Sequence, residues 1–208
     1  PGSTPHYEYS YGRQNWFDAC REECLAVRDA VALFDQTCFA KFLVQGRDAC
    51  AVLNRLSTSN LDVPAGRIVY TQWLNERGGI EADLTITRLS ETSYMIVTGA
   101  AAARRDLTWL RRHIPDGANV FITDMTSSEA VLCVMGPNSR ALLQGLTSAD
   151  LSNAAHPFGT AREIDLGYAR VRAARVTYVG ELGWELYVPS EFARSVFDSL
   201  IEAGAPHG

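Results

Sequence analysis

The sequence predicts an α+β fold of two similar lobes, and two observations carry that prediction. The first is a gap-free internal match. Phe42-Leu-Val-Gln-Gly-Arg-Asp-Ala-Cys-Ala-Val-Leu-Asn-Arg-Leu56 aligns with Leu132-Cys-Val-Met-Gly-Pro-Asn-Ser-Arg-Ala-Leu-Leu-Gln-Gly-Leu146 at an offset of 90 residues. A short apolar run, a glycine, a helix start and the helix's apolar positions all coincide, and at the same offset Tyr94 to Leu110 falls on Trp184 to Leu200. The second observation is the order of periodicities within one copy. It reads strand, helix, three strands, helix, which mixes both element types in one unit. The division that follows is residues 1–38 as a lead and an amphipathic helix packed on the second lobe, 39–128 as the first lobe, and 129–208 as the second. Two lobes facing one another leave a crevice, the usual place for a ligand.

In chain order, Asn15 to Leu33 reads as the amphipathic helix. Trp16, Phe17, Cys20, Cys24, Val27, Val31 and Ala32 recur at helical spacing, opposite Asp18, Arg21, Glu22 and Arg28. Phe39 to Val44 reads as a strand ended by Gly46, and Asp48 as the N-cap of a helix through Leu56. Thr58 to Arg67, with Pro64 and Gly66, is a loop. It leads to a hairpin whose turn is Glu76-Arg77-Gly78-Gly79, where the glycines supply positive-φ positions that side chains resist. On the returning strand, Ile80 to Leu89, Ile80, Ala82, Leu84 and Ile86 share the core face. Glu81, Asp83, Thr85 and Thr87 share the other, with Tyr70 close to Asp83 across the hairpin. Tyr94 to Thr98 is a third strand, turning at Gly99 into a helix Ala100 to His113 that stops before Pro115. In the second lobe, Gly180 and Gly183 bracket the turn of a hairpin over Thr177 to Val188. Trp184, Leu186 and Val188 face the core there, and Glu185 and Tyr187 face away. A carboxylate so placed can accept two adjacent N–H donors from a flat heterocycle, which a neutral amide cannot.

Composition excludes several classes of function. A net charge of −5 argues against a nucleic-acid or anionic-membrane partner, and no apolar run is long enough to span a bilayer. The lead Pro1-Gly-Ser-Thr-Pro-His has no basic and no apolar targeting region, so the compartment is open on this ground. Lys41 is the lone lysine; the arginine bias fits a GC-rich genome. Five cysteines, Cys20, Cys24, Cys38, Cys50 and Cys133, include no C-x-x-C and lie far in sequence from the histidines. No metal site is expected, and the thiols point to a reducing compartment. There is no G-x-G-x-x-G, P-loop, G-x-S-x-G or H-E-x-x-H, so flavin or nicotinamide binding within the chain is not expected.

Three runs carry a resemblance: Y-T-x-x-L-N-x-x-G-G-I-x-x-D-L at Tyr70 to Leu84, M-G-P-N-S-R at Met135 to Arg140, and Y-V-G-E-L-G-W-E-L-Y at Tyr178 to Tyr187. They resemble the aminomethyltransferase family, the T-protein of the glycine cleavage system. The wording is closer to the folate-binding part of the flavin-linked dimethylglycine and sarcosine dehydrogenases, as is V-R-x-A-V-x-L-F-D at Val27 to Asp35. The resemblance implies a tetrahydrofolate site, FAD only in a domain outside this chain, and a C-terminal barrel domain beyond the two lobes. Carried over by position, Asp83 matches the essential aspartate beside the folate's reactive nitrogens. Tyr178 and Glu185 match the pterin-holding tyrosine and glutamate, and Tyr70 matches a further tyrosine lining the pocket. Ala82 stands where T-proteins usually have a second acidic residue, a departure shared with the dehydrogenase-type members. The implied function is capture on tetrahydrofolate of the methylene group from an N-methyl amino acid. The implied partners are a small-molecule one-carbon donor and the flavin domain of a parent polypeptide, in the bacterial cytoplasm or mitochondrial matrix. The chain ends where relatives continue, so a pocket open on one side and weak activity of this stretch alone are expected. Stand-alone aminomethyl transfer and a non-catalytic regulatory role are the alternatives.

Overall fold

A computed structural model describes residues 6–208. In chain order it contains α1 (Phe17–Asp29), β1 (Ala32–Asp35), β2 (Ala40–Gln45), α2 (Ala49–Leu56), β3 (Ile68–Leu74), β4 (Ile80–Ser90), β5 (Ser93–Thr98) and α3 (Ala103–Arg112). There follow β6 (Phe121–Asp124), β7 (Glu129–Met135), α4 (Ser139–Gln144), β8 (Thr160–Leu166), β9 (Ala169–Arg175), β10 (Gly183–Pro189) and α5 (Ala193–Gly204). The strands form two antiparallel five-stranded sheets, ordered β3-β4-β5-β2-β6 and β1-β7-β10-β9-β8.

Alternation along the strands gives each sheet two apolar faces, and both are used. One face of the first sheet packs Phe42, Val44, Trp73, Leu84 and Ile96 against Leu53 of α2 and Leu110 of α3. The corresponding face of the second packs Leu132, Val134, Trp184 and Leu186 against Leu142 of α4 and Leu200 of α5. The remaining faces meet each other: Ile68, Met95 and Val97 of the first sheet lie against Val131, Cys133, Met135, Ala174 and Tyr187 of the second. The result is a helix–sheet–sheet–helix stack with three apolar layers, and antiparallel sheets buried on both sides.

The first sheet takes β2 to β6 in sequence, and the second takes β7 to β10 together with β1 from before them. β1 pairs with β7 and β6 with β2, each as an edge strand. The chain entering each of these edge strands crosses a glycine in the strand-to-helix turn of the sheet it joins. Gly46 (φ +138°) would drive a Cβ into the Asn119 carbonyl, and Gly136 (φ +133°) into that of Ala30. Glycine is required at both positions by close backbone approach as well as by φ.

The pairing of β1 with β7 explains why the first helix is shorter than its periodicity suggests. The chain leaves helical geometry at Ala30 (φ −139°, ψ −112°), and Ala32 to Asp35 pair with Met135 to Leu132. A paired edge outweighs four further residues of a helix in which Val27 alone is buried. Asp48 does not cap its own helix; its Oδ2 accepts the Asn119 N–H at 2.7 Å, holding the segment that enters β6. The helix expected from Ala100 starts with a 3₁₀ turn over Ala100–Ala102 before α3.

Candidate functional site

The β3–β4 hairpin is closed by Asn75, whose Oδ1 accepts the Arg77 and Gly79 N–H groups at 3.0 Å each, while Nδ2 donates to Glu81 at 2.8 Å. Of the two turn glycines, Gly78 takes positive φ (+79°). Gly79 is needed for space instead, since a Cβ would stand 2.9 Å from Asn75 Nδ2. This closure sets Gln72 opposite Asp83 and Tyr70 opposite Thr85. By alternation from Ile68, Tyr70 and Gln72 project on the side of the sheet that faces the second sheet, and Asp83 joins them from β4.

Tyr70, Asp83 and Tyr178 are all solvent-exposed. Gln72 Nε2 donates to Asp83 Oδ1 at 2.9 Å. Tyr70 stands within reach of the same carboxylate, and Asp83 first, then burial, push the Tyr70 phenol above its ordinary range. Tyr178, in the segment between β9 and β10, is close enough to act on Tyr70 through its charge. The structure thus gathers Tyr70, Asp83 and Tyr178, and adds Gln72.

Glu185, read from the sequence as facing away from Trp184, Leu186 and Val188, does so. It lies on β10 opposite Cys133 and Ala174, on the face that the first sheet covers, and is only partly exposed. A lobe considered singly has one covered face, whereas two sheets packed together cover both, so this face is partly enclosed as well. Burial pushes the Glu185 carboxyl up, and the Tyr187 hydroxyl, which donates to Oε2 at 2.7 Å, opposes that rise. Tyr187 is itself buried, and burial followed by the Glu185 charge holds its phenol well above the usual range. Oε1 of Glu185 has no protein partner among the described residues and is not sealed from solvent. No bond among the described residues links Glu185 to the Asp83 group; the two share the layer between the sheets.

Gln72 and Tyr187 were not singled out from the sequence. Strand register held the signal for both: Gln72 is the cross-strand partner of Asp83, and Tyr187 is two residues from Glu185 on the same face. Among the described residues no group of three or more His, Cys, Asp or Glu side chains is placed to hold a metal ion, and no helix is long and apolar enough to cross a membrane.

Residues 4–208 match the family described as GCVT N-terminal domain. The chain belongs to that family. A GCVT relative, 4-methylaminobutanoate oxidase (formaldehyde-forming) of Paenarthrobacter nicotinovorans, is 42% identical over 208 residues, covering 100% of this chain and 25% of that protein. Mitochondrial sarcosine dehydrogenase of Homo sapiens is 35% identical over 231 residues, again 100% of this chain and 25% of that protein. Among solved structures, the glycine cleavage system aminomethyltransferase T from Bartonella henselae superposes with a TM-score of 0.75 at 28% identity, over 86% of this chain and 48% of that one. This is an aminomethyltransferase-like domain related to dehydrogenases of N-methyl amino acids, and it spans about a quarter of the length of those relatives.

Proposed function

We propose that this GCVT domain is the tetrahydrofolate-binding part of a polypeptide that oxidises an N-methyl amino acid with flavin, and that it captures the methylene group released there. The observation that carries the reading is the Asp83 carboxylate, exposed yet held by Gln72, with Tyr70 and Tyr178 close by. The residues fit the group. Tyr70 and Tyr178 offer exposed aromatic surface, and Glu185 keeps an oxygen without a protein partner among the described residues. Tetrahydrofolate, when bound, supplies the nitrogens that accept a one-carbon unit.

The roles of the side chains follow from their bonds. Tyr187 fixes one Glu185 oxygen, so that the carboxylate presents a defined edge to paired N–H donors of a pterin. Asp83, oriented by Gln72 with Tyr70 beside it, is the group placed to take the proton shed in transfer or to stabilise a cation beside it. The raised Tyr70 phenol stays protonated at neutral pH. FAD belongs, on this reading, to the part of the polypeptide outside this chain. We also read the two sheets as products of a duplication. Supporting this, β2, α2, β5 and α3 recur as β7, α4, β10 and α5 within a few residues of the 90-residue offset.

The test is an equilibrium titration of 5-formyltetrahydrofolate into the full-length polypeptide. Glu185→Gln should weaken binding by tenfold or more, the loss of about 1.5–3 kcal/mol expected for a hydrogen bond to a charged group. Asp83→Asn, which keeps the shape, should change it little. Failure of the wild type to bind, or equal binding by Glu185→Gln, would overturn the assignment.

A further inference from the structure

A second cluster of charge lies on the other side of the second sheet. Arg140 of α4, Arg162 of β8 and Arg175 at the end of β9 converge beside Trp184, with the Arg140 and Arg175 guanidinium carbons 5.7 and 5.6 Å from its ring centroid. Both donate to a single oxygen, Asn153 Oδ1, at 2.6 and 2.7 Å. Arg175 also donates to the His156 carbonyl at 2.7 Å, and Arg162 to the carbonyls of Ala155 (3.2 Å) and Asp150. Every one of these acceptors is neutral. Among the described residues none of the three arginines forms an ion pair, although Arg175 is nine-tenths buried. A guanidinium has five N–H donors, and each of these uses at most two, with all three Nε atoms enclosed and unpartnered.

Buried charge of one sign is costly unless an opposite charge accompanies it. Burial and the neighbouring Arg140 pull the Arg175 pKa down, as expected of crowded, poorly solvated cations. One carboxylate charge, that of Asp150, reaches Arg140 and Arg162, and against three guanidinium groups it leaves an excess of positive charge. His156 is held neutral, and Asp150 is exposed with Oδ1 accepting the Ser152 N–H at 2.8 Å. Beside the cluster is an open cleft of about 720 Å³ whose lining includes Arg140, Gln144, Ser152, Asn153, Leu182 and one carboxylate, Asp150. Arg140 Nη1 and Asn153 Nδ2 have no protein partner among the described residues, and the Ser152 hydroxyl is engaged only as an acceptor. Three donors at one rim, backed by two further guanidinium charges, match the oxygens of a tetrahedral or planar anion. Arg140 ends the M-G-P-N-S-R run, to which the folate reading gives no task.

We propose that the cleft beside α4 is an anion site, distinct from the Asp83 group, which binds the phosphate or carboxylate group of a small molecule through Arg140, Ser152 and Asn153, with Arg162 and Arg175 supplying the field. The probes are orthophosphate and malonate, titrated into the chain by calorimetry and by thermal unfolding against chloride at matched ionic strength. Saturable binding and a raised Tm with either anion are expected, and the tighter of the two identifies the source as phosphate or carboxylate. Arg140→Gln should weaken that binding by tenfold or more, at unchanged circular dichroism. Asp150→Asn, which keeps an oxygen to accept the Ser152 N–H and removes the one carboxylate charge lining the cleft, should tighten it about threefold. No saturable binding of either anion, or affinity indifferent to both substitutions, would overturn the site.

Discussion

Acid unfolding between pH 6.5 and 4 should report on His156. The ring has no solvent exposure, and its two nitrogens are fixed in one arrangement. Nε2–H donates to the Thr160 carbonyl at 3.2 Å and Nδ1 accepts the Trp184 indole N–H at 3.3 Å, which only the neutral ring can do. Burial, with the charges of Arg162 and Arg175, outweighs the bonds to Thr160 and Ala173 and takes the imidazole from 6.5 to about 4. The unfolded chain therefore binds a proton below pH 6.5 that the folded chain refuses. Stability from this group is complete above pH 6.5 and is lost as pH falls toward 4. At 1.36 kcal/mol per pH unit the loss comes to about 3 kcal/mol. Asp35, Asp124 and Asp150, whose carboxyls are held below 3.8 chiefly by bonds from the neighbouring Thr37, Thr126 and Ser152, lose their contributions at lower pH, outside this window. Glu185, raised by burial, acts with the opposite sign, favouring the fold as pH falls. Comparison with His156→Gln isolates the effect: the difference in unfolding free energy between wild type and variant, from urea titrations, should shrink by about 3 kcal/mol from pH 7.5 to 4. A difference independent of pH, or an NMR titration of the His156 ring near 6.5, would refute the reasoning.

Two further predictions concern the crossing at Gly46 and the layer between the sheets. Gly46→Ala should destabilise by more than about 2 kcal/mol, because the added Cβ meets the Asn119 carbonyl in a backbone region alanine disfavours. Gly117→Ala, also at positive φ (+80°) but in open space, should cost only about 1 kcal/mol. Equal costs in denaturant titrations would show that the crossing is loose. Cys133 is buried, and burial followed by the Glu185 charge pushes its thiol far up. An aromatic disulfide reagent should therefore label exposed Cys24 and Cys38 quickly and Cys133 only on unfolding, and prompt labelling of Cys133 in the native protein would contradict closure of the layer.

Much of this was legible in the sequence because it is local. The Gly46 and Gly136 turns, the hairpin at Asn75 to Ile80 and the faces of Leu84 and Trp184 follow from glycine positions and period-2 alternation, and the structure keeps them. What was hidden is set by pairing across long stretches of sequence. Nothing in Ala32 to Asp35 says that it pairs with a strand 100 residues away and leaves the helix to do so. β8 and β9 were also missed: arginines at 162, 170, 172 and 175 mask the alternation of Ile164, Leu166, Ala169, Val171 and Ala173. In the candidate site the residue types were readable, and Tyr70 proved to be in reach of Asp83 as the hairpin implied. The covered setting of Glu185 was not, since it depends on the second sheet face being packed.

The most direct test of the account follows the fate of the one-carbon unit. The full-length polypeptide would be supplied with an isotopically labelled N-methyl amino acid and tetrahydrofolate, with flavin reduction, labelled folate and released formaldehyde measured together for wild type and Asp83→Asn. The account predicts that wild type delivers the label to tetrahydrofolate, whereas Asp83→Asn reduces flavin at an unchanged rate and releases the label as formaldehyde. Delivery to tetrahydrofolate that is the same in both proteins would contradict the role assigned to Asp83 and, with it, the proposed function of this domain.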